Sequence, residues 1–505
     1  AIKPNNGTYT AGARPAIGSL YIREYRVDGG SNLLPRIQIE EAVYPYLGPG
    51  RTENDVESAR TALEKAFRDK GFQTVAVQIP QQQVRGGVVL LQVVEGKVGR
   101  LRVKGSRYFL PSDIKKGAPS LAEGKVPDFN EVQNDIVALN QNPDRRVTPV
   151  LRAGLLPGTV DIDLNVKDSL PLHASLELNN RYSIGTTVLR LNGSLGYNNL
   201  WQMGHKIGVS FQLAPERLTD GEVFSGFYVA PIPNVNWLSL MVQGTKQNSN
   251  VSTLGGPAVA GNGITMGGRA LITLPSGNNY FESLSTGLDY KHYYQNVVFG
   301  DITYYPFCAN YNLTVTGSGS VTELNAGVNF SLRGVSGNQQ KFQRRGTQGD
   351  ASYIYLRGDL SRTQDLPGGF QLFAKMQGQI SSQPLLDSEQ FSGGGLSTTR
   401  GYLEATQLGD DALFGTLELR TPSLGGWLKI NDWRFFTFTD AGLLTFVDPL
   451  PQTQARFNLA SVGVGSRMQI LDHLNGEIDV GIPLINQYLT GVPTYLVTFR
   501  VWADF

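Results

Sequence analysis

Few residues in this chain could do covalent or metal chemistry. The four histidines, His173, His205, His292 and His473, lie far apart, with no metal-ligand spacing and no His-Glu-x-x-His pair. The single cysteine, Cys308, excludes an intrachain disulfide and reads as a packed or loop thiol. No Gly-x-Ser-x-Gly elbow and no Walker phosphate loop occurs, and Asp472-His473 reads as a hairpin turn rather than an acid–base dyad. The reading is a protein that is not an enzyme and uses no cofactor and no metal. Two segments hold the remaining candidates. The first is a glycine-rich run, Phe391-Ser-Gly-Gly-Gly-Leu-Ser-Thr-Thr-Arg-Gly-Tyr402, ending in Arg400, Gly401 and Tyr402. The second is Phe438-Thr-Asp440-Ala-Gly442, inside an alternating stretch that puts Phe438, Asp440 and Gly442 on one face.

The elements that carry these residues fall into two compositional halves. Over 505 residues, 44 Lys and Arg against 43 Asp and Glu leave a net charge of +1, with 40% hydrophobic and 17% charged residues. That balance excludes a disordered chain and gives no support for nucleic-acid binding. The 59 glycines, 21 tyrosines and 23 phenylalanines suit many strands and turns. No stretch approaches the ~18 apolar residues of a spanning helix. Ala1–Leu20, with Pro4, Pro15 and several glycines, shows neither a signal-peptide core nor an amphipathic period.

Up to Asp168, helical and strand patterns alternate. A strand at Ile22–Val27 precedes a helix from Pro35 to about Tyr46, closed by Gly48-Pro49-Gly50. Thr52 caps a second helix, along which Val56, Ala59, Leu63, Ala66 and Phe67 recur at helical spacing, and Gly71 stops it. Two strand-like runs, Gln73–Ile79 and Val88–Val94, follow. The order strand, helix, helix, strand, strand then repeats, and Val98-Gly-Arg-Leu-Arg-Val-Lys-Gly105 echoes Ile22-Arg-Glu-Tyr-Arg-Val-Asp-Gly29. In the second unit, Phe129, Val132, Ile136 and Leu139 mark the longer helix, and Val147–Leu151 and Thr159–Val166 the closing strands.

From about Leu172 onward the helical period vanishes. Leu324, Ala326, Val328, Phe330 and Leu332 alternate with Glu323, Asn325, Gly327, Asn329 and Ser331; the stretches around 189–197, 207–213, 370–380, 474–482 and 495–505 behave alike. Alternation fits a soluble sandwich, apolar face inward, or a membrane barrel, apolar face to lipid. The barrel is favoured by strands of about 9 to 12 residues. It is also favoured by aromatic pairs, Tyr293-Tyr294 and Tyr304-Tyr305, read as interfacial girdles, and by a polar face of small neutral residues. At ~20 residues per strand and connection the region yields around 16 strands.

Two tandem modules, a barrel, the Arg-Gly-Tyr loop, the aspartate strand and a terminal aromatic together resemble the Omp85 superfamily, and within it the two-partner secretion transporters (TpsB-type). The branch-specific stretches are Asn142-Pro-Asp-Arg-Arg-Val-Thr-Pro-Val-Leu-Arg-Ala-Gly-Leu-Leu-Pro-Gly158 and Asn198-Asn-Leu-Trp-Gln-Met-Gly204, the latter taken to follow the first barrel strand. The resemblance implies α+β periplasmic modules, two POTRA domains of β-α-α-β-β order, before a transmembrane antiparallel β-barrel of 16 strands. The boundaries read as 1–20 N-terminal tail with no plug helix evident, 21–96 POTRA 1, 97–168 POTRA 2, and 169–505 barrel, with a lumen-inserted loop around 385–405. It further implies that Arg400 pairs with Asp440 on the inner wall, that Gly401 lets the loop tip turn, that Phe438 packs against the loop beside Gly442, and that Phe505 is the assembly signal.

The implied function is an outer-membrane pore that takes an unfolded TpsA-type exoprotein from the periplasm through the POTRA domains and secretes it without nucleotide hydrolysis. Its further partners are outer-membrane lipid and the barrel-assembly machinery during biogenesis, and no nucleic acid. An Omp85-type assembly insertase is the alternative, though such proteins usually carry more than two modules. A porin or uptake receptor is the more distant one, and porins lack such modules. The sequence does not name the cargo, whether haemolysin, adhesin or toxin.

Overall fold

The computed structural model describes residues 20–84, 86–233, 235–249, 251–254, 259–277, 279–294, 301–332, 351–425, 430–449, 451, 454–486 and 494–505. The reading of a tail without a plug helix falls on residues 1–19, outside the described residues. The chain divides into two compact units, Ala1–Pro171 and Leu172–Phe505.

In the first module Val88–Val94 is the central strand, parallel to Glu24–Asp28 and antiparallel to Ala76–Gln78. Helices α1 (Arg36–Val43) and α2 (Glu53–Asp69) complete it. At the start of α2, the Thr52 backbone N and Oγ1 both donate to Asp55 Oδ2, at 2.7 and 2.8 Å. Past its end, Gly71 takes a φ of 112°, open mainly to glycine. Val56, Ala59, Leu63 and Phe67 recur every three or four residues and join Val89 and Leu91 in one buried cluster. One pairing goes beyond the expected order: Gly48–Arg51, read as a turn, pairs antiparallel with Leu20–Ile22.

The second module repeats the plan. Thr159–Asp168 is central, parallel to Lys97–Lys104 and antiparallel to Arg145–Ala153, with α3 (Pro111–Lys116) and α4 (Phe129–Leu139). The modules meet helix end to helix end: Phe129 N donates to Gly71 O at 3.0 Å and Asn130 Nδ2 to Lys70 O at 3.2 Å. Donors at the start of α4 thereby satisfy carbonyls left over at the end of α2. A Cβ at Gly71 would stand 2.2 Å from Asp128 Oδ1, so only glycine permits the approach.

The second unit is a closed antiparallel barrel of 16 strands, because Ile302–Tyr304 and Phe307–Gly317 both pair with Tyr280–Tyr293 and count as one strand interrupted at Tyr305-Pro306. It closes where Leu496–Asp504 pairs with Leu172–Asn179. The Asn180 side chain prolongs this seam as a peptide would, donating to Val497 O and accepting from Phe499 N, both at 2.7 Å. Asn198–Gly204 spans the end of the second barrel strand, Arg190–Leu200, and the turn after it, and does not follow the first: Leu172–Asn179 is already a wall strand, although its pattern is too short to stand out.

Polarity across the wall decides its solvent. Val242, Val464, Leu413, Leu417 and Ile478 are exposed, while Glu418, Asp440, Glu477 and Asp479 are buried. A water-soluble barrel would do the reverse, so the outer face is built for hydrocarbon and the inner one for polar contacts. The aromatic pairs need correcting on the same ground. Tyr294 and Tyr305 face outward, but Tyr293 and Tyr304 are buried inside with Tyr353 and Tyr355, because neighbours in an extended segment point to opposite faces.

Candidate functional site

The chain between wall strands Gln371–Ser381 and Asp411–Arg420 does not leave the barrel; most of its residues from Phe391 to Tyr402 are buried. It forms a short hairpin, Phe391–Gly393 with Gln407–Gly409, whose tip carries Arg400-Gly401-Tyr402.

Arg400 is held on every side. Its Nε donates to Asp440 Oδ2 and its Nη2 to Oδ1, both at 2.9 Å, a bidentate pair, and its backbone N adds a third bond to Oδ2 at 3.0 Å. Its Nη1 donates to Glu418 Oε2 at 2.7 Å and lies 3.8 Å from Asp479 Oδ1. The guanidinium carbon sits 3.5 Å from the centroid of the Phe438 ring. Three wall strands, Asp411–Arg420, Ile430–Thr445 and Leu474–Pro483, thus converge on one side chain. Phe438 in turn needs Gly463 opposite it, where a Cβ would lie 2.3 Å from the ring.

Gly401 has a φ of 91°, and its backbone packs on Gly481 of the wall, where a Cβ would stand 2.5 Å from Gly401 N. The Tyr402 hydroxyl lies 2.7 Å from Ile485 O and 3.0 Å from Ala460 O, the carbonyls to which it can donate. Gly442 acts through its neighbour: it pairs with Phe414, whose ring fills the space a Cβ would need, and Phe414 packs with Phe391 and Tyr402. Phe505 is away from the loop. Its backbone N and O pair with Ala174 at 2.8 and 3.0 Å, and its exposed ring stacks on His473. Asp472 and His473 lie in the turn between Arg456–Ile470 and Leu474–Pro483.

Sequence reasoning missed most of the loop's other attachments. At its root, the buried Glu389 accepts from Lys291 Nζ at 2.5 Å, Tyr304 OH at 2.6 Å and Tyr355 OH at 2.8 Å, while Arg357 Nη2 donates to Glu389 O at 2.9 Å. Beyond the tip, Glu404 Oε1 accepts from Arg181 Nε at 2.7 Å, and Arg181 Nη2 donates to Ser397 Oγ at 3.0 Å. Around Arg400 the wall continues as a belt of charge: Arg420 to Glu418 at 2.7 Å, Arg467 to Glu477 at 2.6 Å, Arg500 to Glu177 at 2.7 Å. Alternation did hold a signal for Glu418, a charge between the outward Leu417 and Leu419. Among the described residues no group of His, Cys, Asp and Glu is arranged to hold a metal ion.

Two tandem α/β modules, a lipid-facing barrel and a lumen loop pinned by an arginine are a specific combination. The family model for the ShlB-type POTRA domain matches residues 20–96, and that for the haemolysin secretion/activation protein ShlB/FhaC/HecB matches residues 158–468. The chain belongs to the ShlB/FhaC/HecB family. Over 474 residues it is 21% identical to the outer membrane transporter CdiB of Dickeya dadantii (strain 3937), covering 87% of this chain and 78% of that protein. Its fold is similar to that of CdiB from Escherichia coli (TM-score 0.70, 18% identity, 99% of this chain and 93% of that one). It is also similar to that of CdiB from Acinetobacter baumannii (TM-score 0.59, 14% identity, 97% and 90%). This transporter is accordingly an outer-membrane pore of two-partner secretion, with its N-terminal modules in the periplasm.

Proposed function

We propose that the loop of residues 382–410 is the removable gate of this pore and that Arg400 is its latch. The observation that supports the reading best is the convergence of Asp440, Glu418 and Phe438 on one buried guanidinium. A buried charge is stable only while paired, so a loop tip held this way stays in the lumen until the pairing is broken. Gly401 and Tyr402 seat the tip beside Gly481 and Ile485; Phe438 supports the guanidinium face, and Gly442 leaves room for Phe414.

The secreted partner, an unfolded TpsA-type exoprotein, would be engaged first at the free edges of the module sheets, adding a strand to them. Of these edges Arg145–Ala153 is broken by Pro149, which offers no backbone donor. Folding outside the cell would then draw the chain through, with no nucleotide hydrolysis and no catalytic residue. Phe505 would serve the barrel-assembly machinery as its recognition signal during biogenesis, and the aliphatic outer face would meet outer-membrane lipid.

The test is secretion by Arg400→Ala at matched surface level. Export is expected to fall at least tenfold while the barrel still assembles, with Arg400→Lys intermediate because an ammonium cannot form the bidentate pair. Wild-type export by Arg400→Ala would overturn the gate.

A further inference from the structure

The pocket that receives Arg400 has more negative charge than the loop uses. Along the inner wall the belt contains five carboxylates, Glu177, Glu418, Asp440, Glu477 and Asp479, and three guanidiniums, Arg420, Arg467 and Arg500; Arg400 from the loop is the fourth. Within this group the count is five carboxyl groups against four guanidiniums with the tip in place and five against three without it; Lys375, in register with Asp440 across Thr416, is a further cation of the inner wall. The wall arginines already have partners: Arg420 holds Glu418, Arg467 holds Glu477, and Arg500 holds Glu177. Asp440, among the described residues, has an ion pair with Arg400 alone. Asp479 is 1% exposed, and its Oδ1 accepts no hydrogen bond although it points to within 3.8 Å of the Arg400 guanidinium.

Simple withdrawal of the loop would therefore leave Asp440 without its cation beside a carboxylate oxygen that already has no donor. Several carboxylates held close together on one wall with too few cations repel one another, which disfavours the emptied site even when water enters it. Exchange for another cation avoids it. The pocket also has a shape: two carboxylates along the edges of a planar group and an aromatic face 3.5 Å from its centre, which suits a guanidinium better than a compact ammonium or a bare metal ion.

We propose that Asp440, Glu418, Asp479 and Phe438 form a guanidinium-binding site that the loop occupies with Arg400 at rest, and that an arginine of the passing exoprotein occupies it when the gate is open. Opening is then an exchange of one arginine for another, with Asp479 as the acceptor that engages the incoming group before Arg400 has left. The inference rests on the gate reading above and adds the chemistry of what releases it.

The experiment uses the full chain in planar lipid bilayers, with argininamide, lysinamide or citrullinamide added from the module side at constant ionic strength. Argininamide should raise the open probability saturably, at a concentration at least tenfold below that of lysinamide, and citrullinamide, which shares the α-amino group but has an uncharged ureido side chain, should do nothing. Asp479→Asn should raise the half-effective argininamide concentration several-fold. Equal action of citrullinamide and argininamide, equal action of added potassium, or no response to argininamide overturns the site. The comparison of the three amides on the unsubstituted chain decides this even where Asp479→Asn fails to insert. Failure here is separable from failure of the gate: if Arg400→Ala abolishes export while the three amides behave alike, the gate stands and only the exchange falls.

Discussion

The N-terminal modules and the barrel obey the same solvation rule with opposite results. In the modules Leu63, Phe67, Leu91, Ile162 and Leu164 are interior and charges are mostly outside; in the barrel Val464, Leu413 and Ile478 are outside and the carboxylates are interior. The instructive contrast lies in how each region treats a buried carboxylate. Asp163 of the second module has a surplus of cations: Lys104 donates to it at 2.7 Å, and Arg152 and Arg102 lie 3.0 and 3.2 Å away. The Lys104 hydrogen bond first, then the charges of Lys104, Arg102 and Arg152, hold its carboxyl below the usual range. On the barrel wall the shortage is of cations, and the loop supplies one. A surplus fixed within one sheet is structural, since nothing has to arrive or leave. A deficit filled from a loop can be exchanged.

The contrast can be broken from either side. In the first module, Phe67→Ala removes a fully buried ring and should cost about 3–5 kcal/mol, read as lost hydrogen-exchange protection of α2 amides in the full chain. Unchanged protection would mean that this cluster is not the module's core. On the barrel, Val464→Arg changes a side chain that is 58% exposed. If the outer face meets lipid, the cost should still be about 2–4 kcal/mol near the midplane, measured by urea unfolding in phospholipid vesicles. A water-facing wall would tolerate the same change to within about 0.5 kcal/mol, and that result would reverse the assignment of inside and outside.

How much of this could be read beforehand follows from the range of the interactions. Period-two alternation is local, so it carried the barrel and the common face of Phe438, Asp440 and Gly442. The helix cap at Thr52 and the stop at Gly71 are equally local. Which residues meet across the wall depends on the register of strands and on how deep the loop inserts, and neither is written in any one segment. Glu418 reaches Arg400 from the position opposite Phe438, while Thr416 lies directly opposite Asp440. Asp479 comes from a strand further round the wall. Glu389 was invisible for the same reason, its donors being drawn from Lys291, Tyr304 and Tyr355 on three segments. The Leu20–Ile22 ribbon escaped because Gly48-Pro49-Gly50 looks like a turn to any local rule.

The smallest effect tests the local end of that range. Asp55 is held below its ordinary value of 3.8, first by the hydrogen bond from the Thr52 backbone, then by the Thr52 hydroxyl, with Arg51 adding its charge. A carboxylate depressed in the folded state contributes stability that is complete above its unfolded value and disappears as pH falls through the folded one. Acidification below about pH 4 should therefore loosen the first turn of α2, seen as faster exchange of its amides, while the amides around Phe67 near the other end stay protected. Asp55→Asn should remove most of that pH dependence, and Thr52→Ala should cost about 1 kcal/mol at neutral pH. Both changes leave the Leu63 and Phe67 packing intact, so their effects should add to that of Phe67→Ala instead of masking it. An α2 whose first turn exchanges identically at pH 3 and pH 7 would show that its start is fixed by packing on α1 and not by the Thr52–Asp55 cap.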